Sequence, residues 1–446
     1  MPGKIPGNLF LPIDTGEGFP NYIGTKGTCG KKILEMHFGG EKMEYYEENP
    51  DKVSQADIVV GIPSYNEARF IPYPTQQASL GLVQFFRNYK SVIINVDNHS
   101  TDGTREAFFG TETDVPKIYI STPEGMVGKG ANLRNLFRKV VELEAKACVV
   151  VDADLRSITP RWIKNLAEPV FQDFGFVAPL YVRHKYDGTI TNSIGYPLTR
   201  SVFGRRVRQP IGGDVGFSGE MAKVFLEHPL WNPMVESYGV DIWMTIVAIC
   251  QGVPICQSFL GRPKIHKTRD PASEVAPAFK EILGTVFTAM MHFADYWRKI
   301  RWSRPTAIFG FGLGEVELPP PVEVKPQALY ERFRQGLAQG METWKEIFPQ
   351  EVFSKVSEVA EMDPGRFDFP SDLWAKILFS GAVSYAKSDR ERDRILDSLI
   401  PLYYGRVYSY VLRTQEMSMQ QAEEYIEEQC TVFEEARPFL DERWPG

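Results

Sequence analysis

After residue 55 the chain alternates two rhythms. Four short apolar runs, at 56–63 (ADIVVGIP), 91–97 (SVIINVD), 116–122 (PKIYIST) and 147–154 (ACVVVDAD), carry the β-branched residues that favour strands. Segments of helical spacing lie between them. The clearest follows GKG at 128–130, where Leu133, Leu136, Phe137, Val140 and Val141 recur on one helix face. Strands alternating with helices predict βαβ units and a mainly parallel sheet, an α/β class fold. In such sheets ligands bind beyond the carboxyl ends of the strands.

The remaining segments set the organisation. Residues 1–55 are glycine-rich and then charged, and predict an extension with little core of its own. FGFVAPLYVRHK reads as a strand, GVDIWMTIVAICQGVPICQSFLG as helix, turn and strand, and ASEVAPAFKEILGTVFTAMMHFADYWRKI as one long helix. Three consecutive prolines in GEVELPPPVEVKP predict a stiff connector, 314–326, that interrupts helix and sheet alike. Residues 327–446 are helical in pattern throughout. The expected units are therefore an extension (1–55), an α/β unit (56–313), a proline-rich linker (314–326) and a helical domain (327–446).

Composition narrows the class. A chain of 446 residues with 43% hydrophobic residues can bury a large core. Net charge is -7, which argues against a general nucleic-acid binder. The cysteines, Cys29, Cys148, Cys250, Cys256 and Cys430, show no paired zinc spacing. Cys148 and Cys250 lie in apolar runs and read as reduced core residues, which suits a cytoplasmic protein. The first residues lack a signal-peptide core, and the most apolar stretch is broken by Gly252 and Pro254 and carries Asp241, so no membrane insertion is expected.

The ends of the four predicted strands carry the candidate chemistry. The first is followed by Asn66 and Glu67, the second by Asp97, Asp102 and Gly103, the third by Lys129 between Gly128 and Gly130, and the fourth by Asp152-Ala153-Asp154. If the last run stays extended, Asp152 and Asp154 point to one side, where two carboxylates repel unless a cation is near. Each group alone has a bland reading as a cap, a turn or a chance acid pair; all four fall where a doubly wound sheet places its pocket. Gly128 and Gly130 allow close backbone approach, and a helix start there offers free N–H groups beside the Lys129 charge, a corner for phosphate. The Walker A spacing is absent. Glu67 and Asp97 suit ribose hydroxyls and a base edge. Asp152 and Asp154 suit a divalent cation, which would neutralise a diphosphate.

In this order and spacing, GIPSYNE, VDNHSTDGT, GKGANLRN and DADL resemble the GT-A nucleotide-sugar glycosyltransferases. That resemblance implies a Rossmann-like GT-A domain with a mainly parallel central sheet, here followed by a helical region. It places Pro63, Tyr65, Glu67, Asp97, Asp152 and Ala153 on a nucleoside-diphosphate sugar, Lys129 near the diphosphate, and the DxD pair on Mg2+ or Mn2+. The stretch QPIGGD, then GVDIW, then KIHK is similar to glucosyl-3-phosphoglycerate, glucosylglycerate and mannosylglycerate synthases. This narrower likeness implies a retaining transfer of glucose or mannose to glycerate or 3-phosphoglycerate. It makes His266 a further metal ligand beside Asp154 and Asp152; a surface histidine between Lys264 and Lys267 is the plain alternative.

Arg200, Arg205, Arg206 and Arg208 precede the Gly212-Gly213 turn. They suit either a solvated helix face or a clamp for an acceptor carboxylate, with Arg208, Gly212 and Gly213 the acceptor candidates. Asp241 opens an apolar helix, where dipole interaction alone could place it; the resemblance gives it a catalytic part beside Lys129, orienting sugar or acceptor hydroxyls. Tyr403, Tyr404, Tyr408 and Tyr410 read as core or interface packing, and the helical tail as lid, acceptor wall or oligomer contact, a homodimer included. Rival readings are an inverting transferase to a polyprenyl phosphate, a nucleotidyltransferase and a non-catalytic sugar-nucleotide binder.

Overall fold

The structure, a computed structural model, describes residues 45–266, 275–310 and 317–445, with the backbone of strands inside 25–44. Cys29, Lys267 and residues 314–316 of the expected linker lie outside the described residues, as does most of the expected extension.

The first half forms β1 (Thr25–Lys26), β2 (Lys31–Phe38), β3 (Glu41–Glu48), β4 (Ile58–Ser64), α1 (Pro72–Phe85), β5 (Ser91–Asp97), α2 (Thr104–Gly110), β6 (Lys117–Ser121), α3 (Lys129–Glu142), β7 (Ala147–Val150) and α4 (Pro160–Ala167). The second half of the α/β unit adds β8 (Phe176–Val182), α5 (Tyr196–Ser201), β9 (Arg205–Arg206), β10 (Val215–Ser218), α6 (Gly219–Glu227), α7 (Val240–Cys250), β11 (Ile255–Pro263), α8 (Ala276–His292), α9 (Ala294–Trp297), β12 (Arg304–Pro305) and β13 (Ala307–Phe309). The expected long helix thus breaks at Phe293, between α8 and α9.

Eleven strands pair in the order β1-β2-β3-β6-β5-β4-β7-β10-β8-β11-β13. The runs β4, β5, β6 and β7 are parallel, as are β8, β11 and β13. β10 runs antiparallel between β7 and β8 and joins the two parallel groups. The fold is therefore mixed α/β with a mainly parallel sheet and a C-terminal helical region. Alternate residues of β4 serve opposite layers: Val59 enters one core with Leu136 and Phe137 of α3, and Ile58, Val60 and Ile62 enter the other with Leu82 of α1 and Ile163 of α4. Burial on both faces explains why these strands are apolar without alternation. Of the α3 face, Leu133, Leu136, Phe137 and Val140 are buried, whereas Val141 is 36% exposed.

The N-terminal segment is more integrated than its composition predicts. β3 pairs antiparallel with β6, and Tyr45 and Glu47 are buried. The Glu47 carboxylate accepts from Lys139 Nζ of α3 at 3.0 Å.

The C-terminal helices are α10 (Pro326–Ile347), α11 (Gln350–Ala360), α12 (Ser371–Lys387), α13 (Arg392–Thr414), α14 (Met419–Glu435) and α15 (Arg437–Arg443). They share one apolar core with the α/β unit. Trp374 Nε1 donates to Ser193 O at 2.8 Å, Gln429 Nε2 to Asn192 O at 2.7 Å and Arg437 Nη1 to Ser201 O at 2.7 Å. All four tyrosines of α13 are buried, consistent with packing. Cys148, Cys250, Cys256 and Cys430 are free thiols. No helix among the described residues is long and apolar enough to cross a membrane.

His228, at the end of α6, is 4% exposed and lies against Trp243 and His292. Its Nδ1 accepts from Leu230 N at 3.2 Å. Burial, and then His292, push its pKa down to about 4. The unfolded chain, with an ordinary value near 6.5, therefore binds the proton more readily than the fold. Stability is full above that value and falls as pH drops towards 4, by up to about 3 kcal/mol from this residue. Urea titrations between pH 7 and 4.5 should show a shallower loss in His228→Asn than in the wild type, because Asn keeps an acceptor for Leu230 N–H. An unchanged pH slope would refute the assignment.

Candidate functional site

The carboxyl ends of β4, β5 and β7 converge as the strand pattern predicts, and loops rather than strands carry the polar side chains. Asn66 adopts a left-handed φ of 55°, which turns the chain sharply after β4. Its N–H donates to Ser100 Oγ at 2.7 Å, Glu67 N–H to Thr104 Oγ1 at 2.9 Å and Ala68 N–H to Asp102 Oδ2 at 3.0 Å. STDGT thus stitches the two loops together. Pro63 is buried, Glu67 partly buried and Tyr65 54% exposed.

Asp97 is fully buried. Its Oδ1 accepts from Ser64 Oγ at 2.6 Å and Ser100 Oγ at 2.7 Å, and its Oδ2 from Ser100 N at 2.7 Å and Tyr119 OH at 2.9 Å. Four donors fill the acceptor capacity of a carboxylate. A base edge would reach Asp97 only by displacing one of them.

The segment Asp152-Ala153-Asp154 lies in a turn past β7, so the strand rule that puts both acids on one side does not apply. The expected positive charge is nevertheless present, and it is protein. Lys129 Nζ donates to Asp152 Oδ1 at 2.8 Å and Lys264 Nζ to Asp152 Oδ2 at 2.6 Å. Lys264 also reaches Asp214 Oδ2 at 2.8 Å, and Lys129 reaches Asp241 at 3.1 Å. Asp214 accepts from Asp152 N at 3.0 Å and from Tyr181 OH. Burial works against the charge on both lysines, but the carboxylates more than offset it and hold them above their ordinary values. Burial likewise opposes ionisation of Asp152, and the two ammonium groups overcome it and hold the carboxyl well below its usual range. For Asp241 burial wins over Lys129 and the value is raised.

The GKG corner differs from its expected form. The N–H groups of Gly130 and Ala131 are not free for phosphate: they donate to Ser237 O at 3.3 Å and Glu236 O at 3.0 Å. A Cβ on Gly130 would lie 1.9 Å from Val235 O, and one on Gly128, where φ is 130°, would lie 2.2 Å from Glu236 O. The glycines let α3 meet the segment before α7, which brings Lys129 and Asp241 together. Gly213 has a similar reason: its Cβ would stand 2.2 Å from Asp152 Oδ2. Gly212 packs on Pro179.

The arginine cluster divides. Arg200 is held by Glu427 at 2.6 Å and Glu434 at 3.0 Å. Arg205 pairs in register with Arg304 between β9 and β12, and Arg206 Nε donates to Ser303 Oγ at 2.8 Å. Arg208 alone of the four lines a cavity of about 290 Å³ between the loop after β8 and α14.

Each Asp152 oxygen accepts from one lysine, which leaves two of the four acceptor positions of the carboxylate. Among the described residues no group of three or more His, Cys, Asp and Glu side chains is set to hold one. Arg156 N–H donates to Ile265 O, and Ile265 N–H to Ser157 Oγ, both at 2.9 Å, so His266 follows a segment tied to the loop after Asp154. Burial, and then Lys264, keep its imidazole below its ordinary value, in the neutral ligating form. Of the three side chains expected to hold a metal, Asp152, Asp154 and His266, the first is also the one held by two lysines.

Residues 59–222 match the sequence model of Glycosyl transferase family 2. This segment is a family 2 glycosyltransferase domain. Over 149 residues the chain is 26% identical to the mannosylglycerate synthase of Rhodothermus marinus, covering 31% of this chain and 36% of that enzyme. The chain thus matches about a third of the relative's length. Among solved structures, glucosyl-3-phosphoglycerate synthase from Mycobacterium tuberculosis, in complex with Mn2+, UDP and phosphoglyceric acid, aligns with a TM-score of 0.42 at 22% identity. That alignment covers 52% of this chain and 78% of that one. The same enzyme with Mg2+ and UDP aligns with a TM-score of 0.43 at 22% identity, over 52% and 79% of the two chains.

Within the glycosyltransferase domain, Lys129 and Asp152, read from sequence as a phosphate group and a metal group of one pocket, are in direct contact. Lys264, Asp214 and Tyr181 complete the cluster but carry no assignment from sequence. KIHK and QPIGGD contain the first two. Only a count of buried charges, more acids than the one predicted cation can balance, would have pointed to Lys264.

Proposed function

We propose that the protein transfers a hexose, glucose or mannose, from a nucleoside-diphosphate sugar to glycerate or 3-phosphoglycerate, with retention at the anomeric carbon. The observation that carries this reading is Lys129, at the head of α3, bridging Asp152 of the DxD segment and Asp241 of α7. The identity to mannosylglycerate synthase supports the choice of acceptor.

Lys129 meets the negative charge that develops on the departing diphosphate, and it is positioned in advance by two carboxylates, so little reorganisation is needed. Asp152, fixed by Lys129 and Lys264, keeps that ammonium in place. Asp241 accepts from a sugar or acceptor hydroxyl and orients it. The acceptor hydroxyl approaches on the face the diphosphate leaves, and a diphosphate oxygen takes its proton. The cluster of Lys129, Lys264, Asp152, Asp214 and Asp241 has three carboxylates against two ammonium groups. One excess negative charge would repel a diphosphate arriving alone, which favours a donor accompanied by a divalent cation. Asp154, His266 and Asp152 would hold Mg2+ or Mn2+, ions that take few protein ligands and fill the rest with phosphate oxygens and water. Such an ion would neutralise charge on the leaving diphosphate.

The test is transfer itself. UDP-glucose, GDP-mannose and ADP-glucose are incubated with glycerate or 3-phosphoglycerate, with Mg2+ or Mn2+ and with EDTA, and the product is read by NMR. A glycoside of the donor's own anomeric configuration, lost with EDTA, is the expected result. An inverted product would return the reading to a polyprenyl-phosphate type of transferase, and full turnover in EDTA would remove the metal.

A further inference from the structure

The cavity beside the lysine cluster is walled on one side by residues 180–192 and on the other by α14, outside the glycosyltransferase domain. Tyr181 lies in its wall and hydrogen-bonds to Asp214, which joins it to the Lys264–Asp152 pair. An acceptor bound here would thus be next to the groups assigned to transfer.

Three cations line the cavity. Arg183 lies 3.6 Å from Asp187, and its buried Nε has no hydrogen-bond partner among the described residues. Lys185 Nζ donates to three carbonyls at the end of α13, Thr414 O at 2.7 Å, Gln415 O at 3.0 Å and Met417 O at 2.7 Å, which uses all its hydrogens. Arg208 meets Glu423 of α14 through both Nε and Nη2, the latter at 2.8 Å, and its Nη2 also donates to Asn192 Oδ1 at 3.0 Å. Of the five guanidinium hydrogens only the two on Nη1 lack a partner among the described residues. Burial and neighbouring Lys185 hold His184 below its ordinary value, so it adds no charge at neutral pH. The cations Arg183, Lys185 and Arg208 against the carboxylates Asp187 and Glu423 leave one positive charge. A single carboxylate balances that charge. A phosphate carries up to two negative charges at neutral pH, three acceptor oxygens and, with the carboxylate, a total the wall cannot match.

We infer that Glu423, by occupying the fork of Arg208 from α14, selects an acceptor with one carboxylate and no phosphate, a small hydroxy acid such as glycerate rather than 3-phosphoglycerate. This rests on the proposed transfer to a glycerate-type acceptor and names which of the two it is. Glu423 is a positioning residue: it acts through Arg208 and sets how much charge that side chain offers. Its own side chain is about half exposed, so its charge can be removed with little burden on the fold.

The experiment measures kcat and KM for D-glycerate and for 3-phosphoglycerate with the better of UDP-glucose and GDP-mannose, in the wild type, Glu423→Gln and Glu423→Asp. The wild type should favour glycerate at least ten-fold in kcat/KM. Glu423→Gln should narrow that ratio at least ten-fold through a lower KM for 3-phosphoglycerate. Glu423→Asp should restore the discrimination. A wild-type preference for 3-phosphoglycerate, which needs no variant to observe, overturns the inference and leaves the transfer reading standing. So does an unchanged ratio in Glu423→Gln. Absence of transfer to both acceptors overturns the transfer reading and this inference with it.

Discussion

Replacing Lys129 by alanine is expected to lower kcat for sugar transfer by about 10²–10³-fold, the loss typical when one preorganised donor to developing charge is removed. The ammonium lies between Asp152 and Asp241 and is the only cation of the cluster that touches both. Lys264 contacts Asp152 from the other side and is tied to the fully buried Asp214, so it does not substitute. The fold should tolerate the change better than the chemistry. Lys129 is 19% exposed, so water can enter, and Asp241, whose proton affinity burial has already raised, can take up a proton instead of standing unpaired. Lys129→Arg should regain only part of the rate, because a planar fork does not fill the position of a compact ammonium. Turnover by Lys129→Ala within about three-fold of wild type, measured with saturating donor and acceptor, would remove Lys129 from the mechanism.

That expectation depends on contacts that the linear chain shows unevenly. The strands β4 to β7 were legible because each is buried on both faces and therefore reads as a continuous apolar run. β3 was not: EKMEYYEE is mostly charged and follows a glycine pair, and its place beside β6 is set by Tyr45 and by Glu47 meeting a lysine on α3. The loops after the strands were legible as a set, and Lys129 as a charge among them; that it pairs with Asp152 was not, since the cation expected there was a metal. The reason for the flanking glycines was not, since the backbone that crowds them, at 235–237, is over a hundred residues away. The same distance hides the charge balance. Lys264 is 112 residues from Asp152, and Glu423 is 215 from Arg208. No local pattern reports such pairs, because each half alone looks like an ordinary surface charge. The helical tail behaves likewise: its composition indicates helices, and only the folded core shows that they close one wall of the cavity.

Lys264→Met carries the largest expected cost in stability, about 3–5 kcal/mol of unfolding free energy, the range for breaking a buried ion pair by removing one partner. Lys264 is 4% exposed and Asp214 is fully buried, so water does not replace the lost ammonium. Asp214 would keep Tyr181 OH and Asp152 N as donors, yet both are needed to hold a carboxylate whose counter-charge is gone. Asp152 would suffer less, because Lys129 still holds its Oδ1 and its side chain is 23% exposed. Most of the penalty should therefore belong to Asp214, and that is separable. In Lys264→Met with Asp214→Asn the uncompensated charge is removed while the amide oxygen can still accept from Asp152 N. Denaturant unfolding should then show the double variant at least about 1.5 kcal/mol more stable than the sum of the two single changes predicts, the coupling expected of residues in one network. Strict additivity, or a Lys264→Met variant within about 1 kcal/mol of wild type, would mean that Asp214 is not held as an ion by Lys264 and that the balance of three carboxylates against two ammonium groups at this site is wrong.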